Sequence, residues 1–146
     1  MSDSIHVVSA VIIRGGRLLM TQRKPSQDFA FTWECPGGKV EAGEDHYDAM
    51  RRELWEEIGA VVESFVPVAM FDRDFGNIVQ RADRARVHVF LHRVEIVGEP
   101  SPREGQGIGW FGVEEVALLP MAPANTAARQ LLLSLIRLQA ATRRPA

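Results

Sequence analysis

Runs of apolar residues rich in valine and isoleucine recur along the chain, separated by polar or glycine-containing segments. Short runs of this kind predict β-strands, because branched side chains pack well on a pleated surface. The segment 14–17, RGGR, predicts a hairpin turn, since glycine adopts the left-handed backbone conformations that tight hairpins need. We expect strands at residues 6–13, 18–22, 61–71 and 86–97, with a last strand around Trp110 and Phe111.

Polar or proline-containing segments connect these strands. Residues 24–32 are polar and interrupted by Pro25, and residues 72–83 are charged, so both segments predict loops. Residues 33–40 contain Pro36-Gly37-Gly38, which excludes a helix and favours a loop or a short strand.

Two other segments repeat their apolar residues at helical spacing. Residues 45–59 predict a central helix that Gly59 ends, and residues 125–140 predict a second, amphipathic helix. Strands around one helix, followed by a terminal helix, predict an α/β fold with a mixed β-sheet sandwiched between α-helices. The expected apolar faces are Tyr47, Met50, Leu54 and Ile58 in the first helix and Leu131, Leu132, Leu135, Ile136 and Leu138 in the second.

Composition and charge narrow the class of protein. The 146 residues fit one domain, which we place at residues 1–146. A formal net charge of -2 gives no long-range attraction, so we expect neither duplex nucleic acid nor a membrane as partner. Cys35 is the only cysteine, which excludes an internal disulfide, and the first residues do not resemble a secretory leader. We therefore expect a cytoplasmic protein, either a monomer or a homodimer.

Three glutamates supply the candidate chemistry. Glu53, Glu56 and Glu57 stand at positions i, i+3 and i+4 of the predicted helix and share one of its faces. Like charges at this spacing destabilise a helix by about 0.2–0.5 kcal/mol per pair, and no lysine on that face compensates them. A divalent cation relieves such a cluster, and ligands that are all oxygen favour Mg²⁺ or Mn²⁺. The alternative is an acidic face that is only solvated.

The residues around this face favour the cation site. Gly37 and Gly38 precede the helix, and glycine lets the backbone approach a metal ion or a phosphate closely. Glu44 lies where the chain enters the helix. Arg52 is next to Glu53 and can orient its carboxylate.

The segment from Gly38 to Ala60, GKVEAGEDHYDAMRRELWEEIGA, resembles the Nudix box. Its glycine, glutamates and arginine stand at the spacing of that motif, and Ala60 is a small version of the last apolar position. The resemblance implies the Nudix fold, phosphoanhydride hydrolysis, and Mg²⁺ as cofactor, with Mn²⁺ as a substitute. It also implies Glu56 and Glu57 as the main metal ligands.

The resemblance further implies roles for the neighbours of these ligands. Glu53 would be the general base or a further metal ligand, and Arg52 would orient it. Glu44 would be a weaker, supporting acid of the metal site. Gly37 or Gly38 would lend a backbone carbonyl to the metal.

Segments outside the box extend the resemblance to mutator-type nucleoside triphosphate pyrophosphohydrolases. They are residues 33–39, WECPGGK; residues 104–106, EGQ, followed by Trp110; and residues 123–125, PAN. This resemblance implies Glu104 as another metal ligand or base, Asn125 as the reader of a purine edge, and Arg23 as a phosphate ligand. Further candidates for phosphate binding are Lys39, Arg84 and Arg86.

Several of these residues also have a simpler interpretation. Asn125 opens the predicted second helix, where asparagine is a favoured N-cap that contributes about 1 kcal/mol. Glu104 lies in a polar loop, where most glutamates are solvated. The histidines have no zinc-type spacing, so we expect no zinc site at His6, His46, His88 and His92.

The expected function is Mg²⁺-dependent hydrolysis of a nucleoside triphosphate to the monophosphate and pyrophosphate. The expected small-molecule substrate is 8-oxo-dGTP or a dGTP-like nucleotide, and the role is cleaning of the nucleotide pool. The markers of ADP-ribose, dinucleoside polyphosphate and coenzyme A hydrolases are absent from the sequence. Two alternatives stay open: a hydrolase of dCTP, a nucleotide sugar or a capped RNA end, and a non-catalytic module that binds a nucleotide.

Overall fold

The structure is a computed structural model that describes residues 4–74 and 86–142. Eight strands and three helices follow one another in this part of the chain. They are, in chain order, β1 (Ser4–Val11), β2 (Ile13–Arg14), β3 (Arg17–Gln22), β4 (Trp33–Glu34), β5 (Gly37–Lys39), α1 (His46–Ile58), β6 (Val61–Asp74), β7 (Arg86–Val97), β8 (Gly107–Phe111), α2 (Val113–Leu118) and α3 (Pro123–Thr142).

The strands form two four-stranded sheets. In the first, ordered β5-β1-β7-β6, β1 and β7 are parallel and the other neighbours are antiparallel, so the sheet is mixed. In the second, β3 pairs antiparallel with β2, β4 and β8. The turn between β2 and β3 is the predicted hairpin, with Gly15 and Gly16 at φ angles of 55° and 74°.

Helices cover both faces of the strands, which confirms the predicted α/β arrangement. The buried residues of α1 pack in one cluster with Val8 and Ala10 of β1. Those of α2 and α3 pack in a second cluster with Val11 of the same strand. Because successive strand residues point to opposite faces, α1 lies on one side and α2 and α3 on the other. In the described part of the chain, no helix is long and apolar enough to cross a membrane.

The central helix, α1, begins one residue after the predicted start and ends at the predicted glycine. Asp45 is the N-cap, and its carboxylate accepts a 2.7 Å hydrogen bond from the backbone N–H of Asp48. Gly59 ends the helix in a left-handed conformation with φ of 65°. The prediction was wrong for Tyr47, which is 41% exposed and packs edge-on against Phe65. The buried residues of the helix are Ala49, Met50, Leu54 and Ile58.

The last helix, α3, begins earlier than its apolar pattern predicts. It starts at Pro123, so Asn125 lies inside the first turn, and its interpretation as the N-cap was wrong. Proline is favoured at a first helical position because the N–H it lacks would have no partner there. The carbonyl of Ala122 accepts the first backbone hydrogen bonds, from Asn125 and Thr126 at 2.9 and 3.0 Å.

Two further segments differ from expectation. The predicted loop from residue 72 is part of β6 as far as Asp74, and Asp72 pairs in register with His88 of β7. Residues 75–83 of that predicted loop lie outside the described residues. The short helix α2 was not predicted, because six residues are too few to show a helical period.

His6 and His46 lie against Phe90 and form one cluster with His88 and His92, which are distant from them in sequence. Nδ1 of His6 lies 3.1 Å from Nε2 of His46, and the ring of His92 stacks on Phe65 with 4.0 Å between centroids. Burial lowers the pKa of His46, with a further contribution from His6 and an opposing one from Asp45. Burial also lowers the pKa of His92, and His46 adds to the effect.

Acidification should destabilise the protein through this cluster. Where the folded pKa of a histidine is lowered, the unfolded state binds more protons. The folding free energy is therefore fully present above the unfolded pKa of about 6.5 and is lost as pH falls below it. His46→Gln removes one such group. As the pH falls from about 8 to 5, the Tm of the variant should therefore decrease less than the Tm of the wild type. A Tm difference that stays constant over this range would contradict the assignment.

Candidate active site

Arg52 connects the acids of α1 with Glu44, which precedes the helix. The guanidinium of Arg52 donates two hydrogen bonds to Glu44, at 2.8 and 2.9 Å, and one of 2.9 Å to Glu53. It also donates to the backbone carbonyl of Lys39 at 2.9 Å and reaches Glu56 at 3.4 Å. The acidic face therefore has a compensating cation at i,i+4 from Glu56, although it is an arginine rather than a lysine.

Glu44 is engaged at both carboxylate oxygens. Each oxygen accepts a hydrogen bond from Arg52, and one also accepts a 2.9 Å bond from the backbone N–H of Glu41. The bonds from Arg52, and then that from Glu41, lower the pKa of Glu44 to about 2. An acid bound in this way fixes the orientation of Arg52. Its part in a metal site stays a prediction.

Glu53 lies where the glycine-containing strand β5 crosses α1. A Cβ atom on Gly38 would lie 2.4 Å from the carboxyl carbon of Glu53, so any larger residue would displace that carboxyl group. Burial raises the pKa of Glu53, and the charges of Glu56 and Glu104 raise it further, against the effect of Arg52. The carboxylate is therefore a stronger base than an exposed glutamate.

Glu57 is largely buried and accepts a hydrogen bond from the backbone. Its Oε2 accepts a 3.0 Å bond from the N–H of Gly37. Burial raises the pKa of Glu57 to about 8, and the charges of Glu34, Glu53 and Glu104 contribute in the same direction. Among the described residues, none donates a cationic hydrogen bond to this carboxyl group, so a cation that reached it would favour its ionised form.

A cleft beside α1 brings Glu57 together with basic and polar residues from other segments. Glu57 and Glu104 line it with Arg23 and Glu34. Nη1 of Arg23 lies 3.1 and 3.2 Å from the two carboxylate oxygens of Glu34. Burial raises the pKa of Glu34, and Arg23 opposes the shift. Glu34 was not predicted as a site residue, because a single glutamate in a short strand carries no pattern.

The segment that contains Glu104 is attached to the C-terminal end of α1. The backbone N–H groups of Ser101 and Arg103 donate to the carbonyls of Ile58 and Glu57, at 3.0 and 2.9 Å. These bonds satisfy carbonyls that have no partner within the helix. They also place Glu104 in the same cleft as Glu57, although the two residues are far apart in sequence.

Asn125 joins α3 to the segment that precedes the glycines. The side chain is 7% exposed, and its Oδ1 accepts a 2.9 Å hydrogen bond from the backbone N–H of Cys35. Its Nδ2 donates to no other described residue, which leaves a donor for a ligand. Burial raises the pKa of the Cys35 thiol to about 12, so this cysteine is neutral and a poor nucleophile.

Two basic candidates lie outside this arrangement, and a third is not among the described residues. Lys39 is exposed, and its backbone carbonyl accepts from Arg52. Arg86 is exposed at the start of β7 and does not line the cleft. Arg84 lies outside the described residues. Phosphate binding by these three residues stays a prediction.

The donor set fits a hard divalent cation. Glu53, Glu56, Glu57 and Glu104 offer oxygen ligands, which Mg²⁺ and Mn²⁺ prefer. The raised pKa values of Glu53 and Glu57 reflect burial and mutual repulsion that a cation would relieve. Within residues 4–74 and 86–142, no three acidic, histidine or cysteine side chains already converge as metal ligands. Cation binding therefore requires the flexible glutamate side chains to turn toward one another.

A match to a family model identifies the family of the chain. The family model described as the NUDIX domain matches residues 4–132 of the chain. The chain belongs to the Nudix family. It is a nucleotide pyrophosphohydrolase, an enzyme that cleaves phosphoanhydride bonds, and Nudix hydrolases generally need a divalent metal.

Relatives with known names support the assignment. An 8-oxo-dGTP diphosphatase of Haemophilus influenzae is 38% identical over 128 residues, which are 86% of this chain and 89% of the relative. A CTP pyrophosphohydrolase of Escherichia coli is 36% identical over 122 residues, which are 83% of this chain and 85% of the relative. The two Nudix relatives thus differ in the nucleotide that their names give.

Solved structures confirm the fold. A MutT structure from a study of the Aliivibrio salmonicida and Vibrio cholerae proteins matches with a TM-score of 0.75 and 31% identity. The match covers 91% of this chain and 99% of that one. The E. coli ORF135 protein matches with a TM-score of 0.75 and 34% identity, covering 99% and 96% of the two chains. The mixed sheet between helices is therefore the Nudix fold.

Alanine at the two glycines should separate folding from catalysis. A Cβ on Gly37 would lie 1.9 Å from the backbone oxygen of Val8, and the φ of 151° is strained for alanine. Gly37→Ala should therefore lower stability by about 1–3 kcal/mol. A Cβ on Gly38 meets the side chain of Glu53, which can rotate away. Gly38→Ala should nearly keep the wild-type Tm but lower kcat by about 10²-fold.

Thermal unfolding and steady-state hydrolysis of one nucleotide measure the two effects. A Gly38→Ala protein with wild-type kcat would show that the position of Glu53 does not matter to the reaction.

Proposed function

We propose that the protein is a Mg²⁺-dependent hydrolase that converts a nucleoside triphosphate to the monophosphate and pyrophosphate. Its substrate is 8-oxo-dGTP or a dGTP-like purine nucleotide, and its role is cleaning of the cytoplasmic nucleotide pool. The observation that carries the proposal is the pair of partly buried carboxyl groups of Glu53 and Glu57, both with a raised pKa and each within the charge field of Glu104.

The acids of α1 would hold the cation. The proposed ligands are Glu56 and Glu57, with a backbone carbonyl of Gly37 or Gly38. Glu53 is a further ligand if Glu104 is the base. When bound, the cation neutralises phosphate oxygens and polarises the phosphoryl group that water attacks. Glu44 would act through Arg52, because both of its carboxylate oxygens are already engaged.

Glu53 is the proposed general base. The bond from Arg52 to its Oε1 fixes the carboxylate plane and leaves Oε2 to accept a proton from water. A raised pKa brings the carboxylate nearer to the operating pH, where a general base is most effective. Glu104 is the alternative base, because it lines the same cleft as Glu57.

Arg23 is the proposed phosphate ligand. Its Nη1 is bound to Glu34, and its Nε donates to the carbonyl of Asp28 at 2.5 Å. These bonds hold the guanidinium at the cleft, and Nη2 keeps its two donors for phosphate oxygens. Lys39, Arg84 and Arg86 remain further candidates.

Asn125 is the residue proposed to recognise the nucleobase. The bond from Cys35 fixes the amide with Oδ1 turned to the backbone, so Nδ2 is the group left to meet a ligand. A donor in this position suits a carbonyl oxygen such as O6 of a guanine. The H. influenzae relative, named for 8-oxo-dGTP, supports the purine.

A cytidine triphosphate, CTP or dCTP, is the second candidate substrate. The E. coli relative named for CTP is 36% identical, against 38% for the relative named for 8-oxo-dGTP. Cytosine also carries a carbonyl oxygen that a donor from Asn125 can meet. Comparison of kcat/KM for 8-oxo-dGTP, CTP and dCTP therefore decides the nucleobase.

A nucleotide panel tests the proposed function. With Mg²⁺, the purified protein should release pyrophosphate from nucleoside triphosphates, with the highest kcat/KM for 8-oxo-dGTP. EDTA should abolish hydrolysis, and added Mg²⁺ or Mn²⁺ should restore it. Preference for CTP or dCTP would favour the second candidate. Full activity in EDTA, or no hydrolysis of any nucleotide, would contradict the proposal.

Two matched variants show that the activity belongs to the proposed site. Glu53→Gln keeps the shape of the side chain and an acceptor for Arg52, but it should lower kcat by at least ~10²-fold. Glu63→Gln makes the same change at an exposed glutamate of β6 and should retain the wild-type kcat.

Asn125→Asp tests the reading of the base. Aspartate keeps the oxygen that accepts from Cys35 but has no amide donor. The fold should therefore persist, while kcat/KM for 8-oxo-dGTP falls about 5- to 150-fold, as expected for a lost hydrogen bond of 1–3 kcal/mol. The Tm and the ranking of substrates are the measurements. An unchanged kcat/KM for 8-oxo-dGTP at an unchanged Tm would remove Asn125 from base recognition.

A further inference from the structure

We propose that Gln106 and Arg103 are positioning residues that hold Glu104 beside Glu53 and Glu57. The inference rests on the proposed function in one respect, namely that Glu104 takes part in the reaction. It assigns roles to two side chains that act through the backbone of Glu104. Their contacts with the end of α1 carry the argument.

Gln106 connects the helix directly to Glu104. Its Nε2 donates a 2.8 Å hydrogen bond to the backbone carbonyl of Glu57. Its Oε1 accepts a 2.9 Å bond from the backbone N–H of Glu104. The side chain is 9% exposed, so water competes little for either bond. One buried amide therefore sets the distance between the backbones of two acids that line the same cleft.

Arg103 attaches the loop on the other side of Glu104. Its backbone N–H donates a 2.9 Å bond to the carbonyl of Glu57, the same oxygen that Gln106 binds. Its guanidinium lies 4.3 Å from the ring centroid of Trp55, a distance typical of a cation–π contact. Nη1 also reaches the carbonyl of Trp55 at 3.3 Å.

Gly59 makes room for this guanidinium. A Cβ atom there would lie 2.6 Å from Nε of Arg103, and the left-handed backbone with φ of 65° also favours glycine. The glycine that ends α1 therefore has a second effect, since it lets Arg103 lie flat against the end of the helix.

These contacts fix the backbone of Glu104 and leave its side chain free. The residues at positions 103 and 106 are both bonded to Glu57, so the short segment between them has little freedom relative to α1. The carboxylate of Glu104 accepts no hydrogen bond from another described residue. A fixed backbone with a free carboxylate is the arrangement that an acid needs to reach a ligand without a large loss of entropy.

The test uses Gln106→Met, which keeps the length of the side chain, and Arg103→Met, which keeps its apolar stem but not its full length. Both variants lose the polar contacts of the side chain. By NMR, the amide proton of Glu104 should exchange slowly in the wild type and at least ~10-fold faster in Gln106→Met. Both variants should bind Mn²⁺ more weakly in the absence of substrate, and both should lower kcat by about 10-fold. Arg51→Met is the matched control, because Arg51 lies 5.6 Å over the ring of Tyr47 on the same helix and holds no loop. It should leave all three readouts unchanged.

A second background separates positioning from general stability. In a Glu104→Gln protein, Gln106→Met and Arg103→Met should cause no further loss of kcat, because the group that they position is already neutral. Equal losses in the two backgrounds would show a structural role and overturn the proposal. A fast-exchanging amide of Glu104 in the wild type would overturn it as well.

The outcomes also distinguish this proposal from the proposed function. If the wild type hydrolyses no nucleotide, the proposed function fails, while amide exchange and Mn²⁺ binding still decide whether Gln106 and Arg103 position Glu104. If the wild type is active and Glu104→Gln keeps the full kcat, the proposed function stands and the positioning proposal is overturned.

Discussion

Excess negative charge on one face of α1 is the constraint on which the rest of the site depends. Arg52 is the cation of that face, but its hydrogen bonds go mainly to Glu44 and Glu53. Glu57 is left largely buried with a backbone N–H as its described partner, and its pKa rises to about 8. An isolated helix with this face would be destabilised by its own charges. The folded protein tolerates the repulsion, and the same repulsion makes the face a receptor for a divalent cation.

The segments around α1 contact its acidic residues and its C-terminal end. Gly37 supplies the N–H that Glu57 accepts, and Gly38 leaves the space that the carboxyl group of Glu53 fills. The loop that carries Glu104 is bonded to the last carbonyls of the helix. Each of these contacts ends on α1, while Met50 and Leu54, on the adjacent face of the helix, anchor it in the core. The helix therefore acts as the rigid element against which the acids from other segments are placed.

Sequence patterns predicted those features that depend on contacts between residues close together in the chain. Gly59 carries a C-terminal cap signal in the sequence, and the helix ends there. Asn125 carries a similar signal, but Pro123 starts the helix earlier and the side chain binds Cys35, 90 residues away in sequence. The pairing of Arg23 with Glu34, the attachment of Gln106 to Glu57 and the clustering of the histidines likewise depend on tertiary packing. No spacing along the chain encodes such contacts, whereas the carboxylate motif of α1 lies within a few turns of one helix and was predictable.

The titration of the Glu57 carboxyl group, followed by ¹³C NMR with and without Mg²⁺, tests the central claim most directly. In the metal-free protein we expect Glu57 to titrate near pH 8, because burial and neighbouring acids disfavour its charged form. With saturating Mg²⁺ we expect the group to be ionised throughout the neutral range, because the cation compensates that charge. A Glu57 that titrates near its ordinary value of 4.5 without metal, or whose titration Mg²⁺ does not change, would contradict the claim that this face of α1 is built to receive a cation.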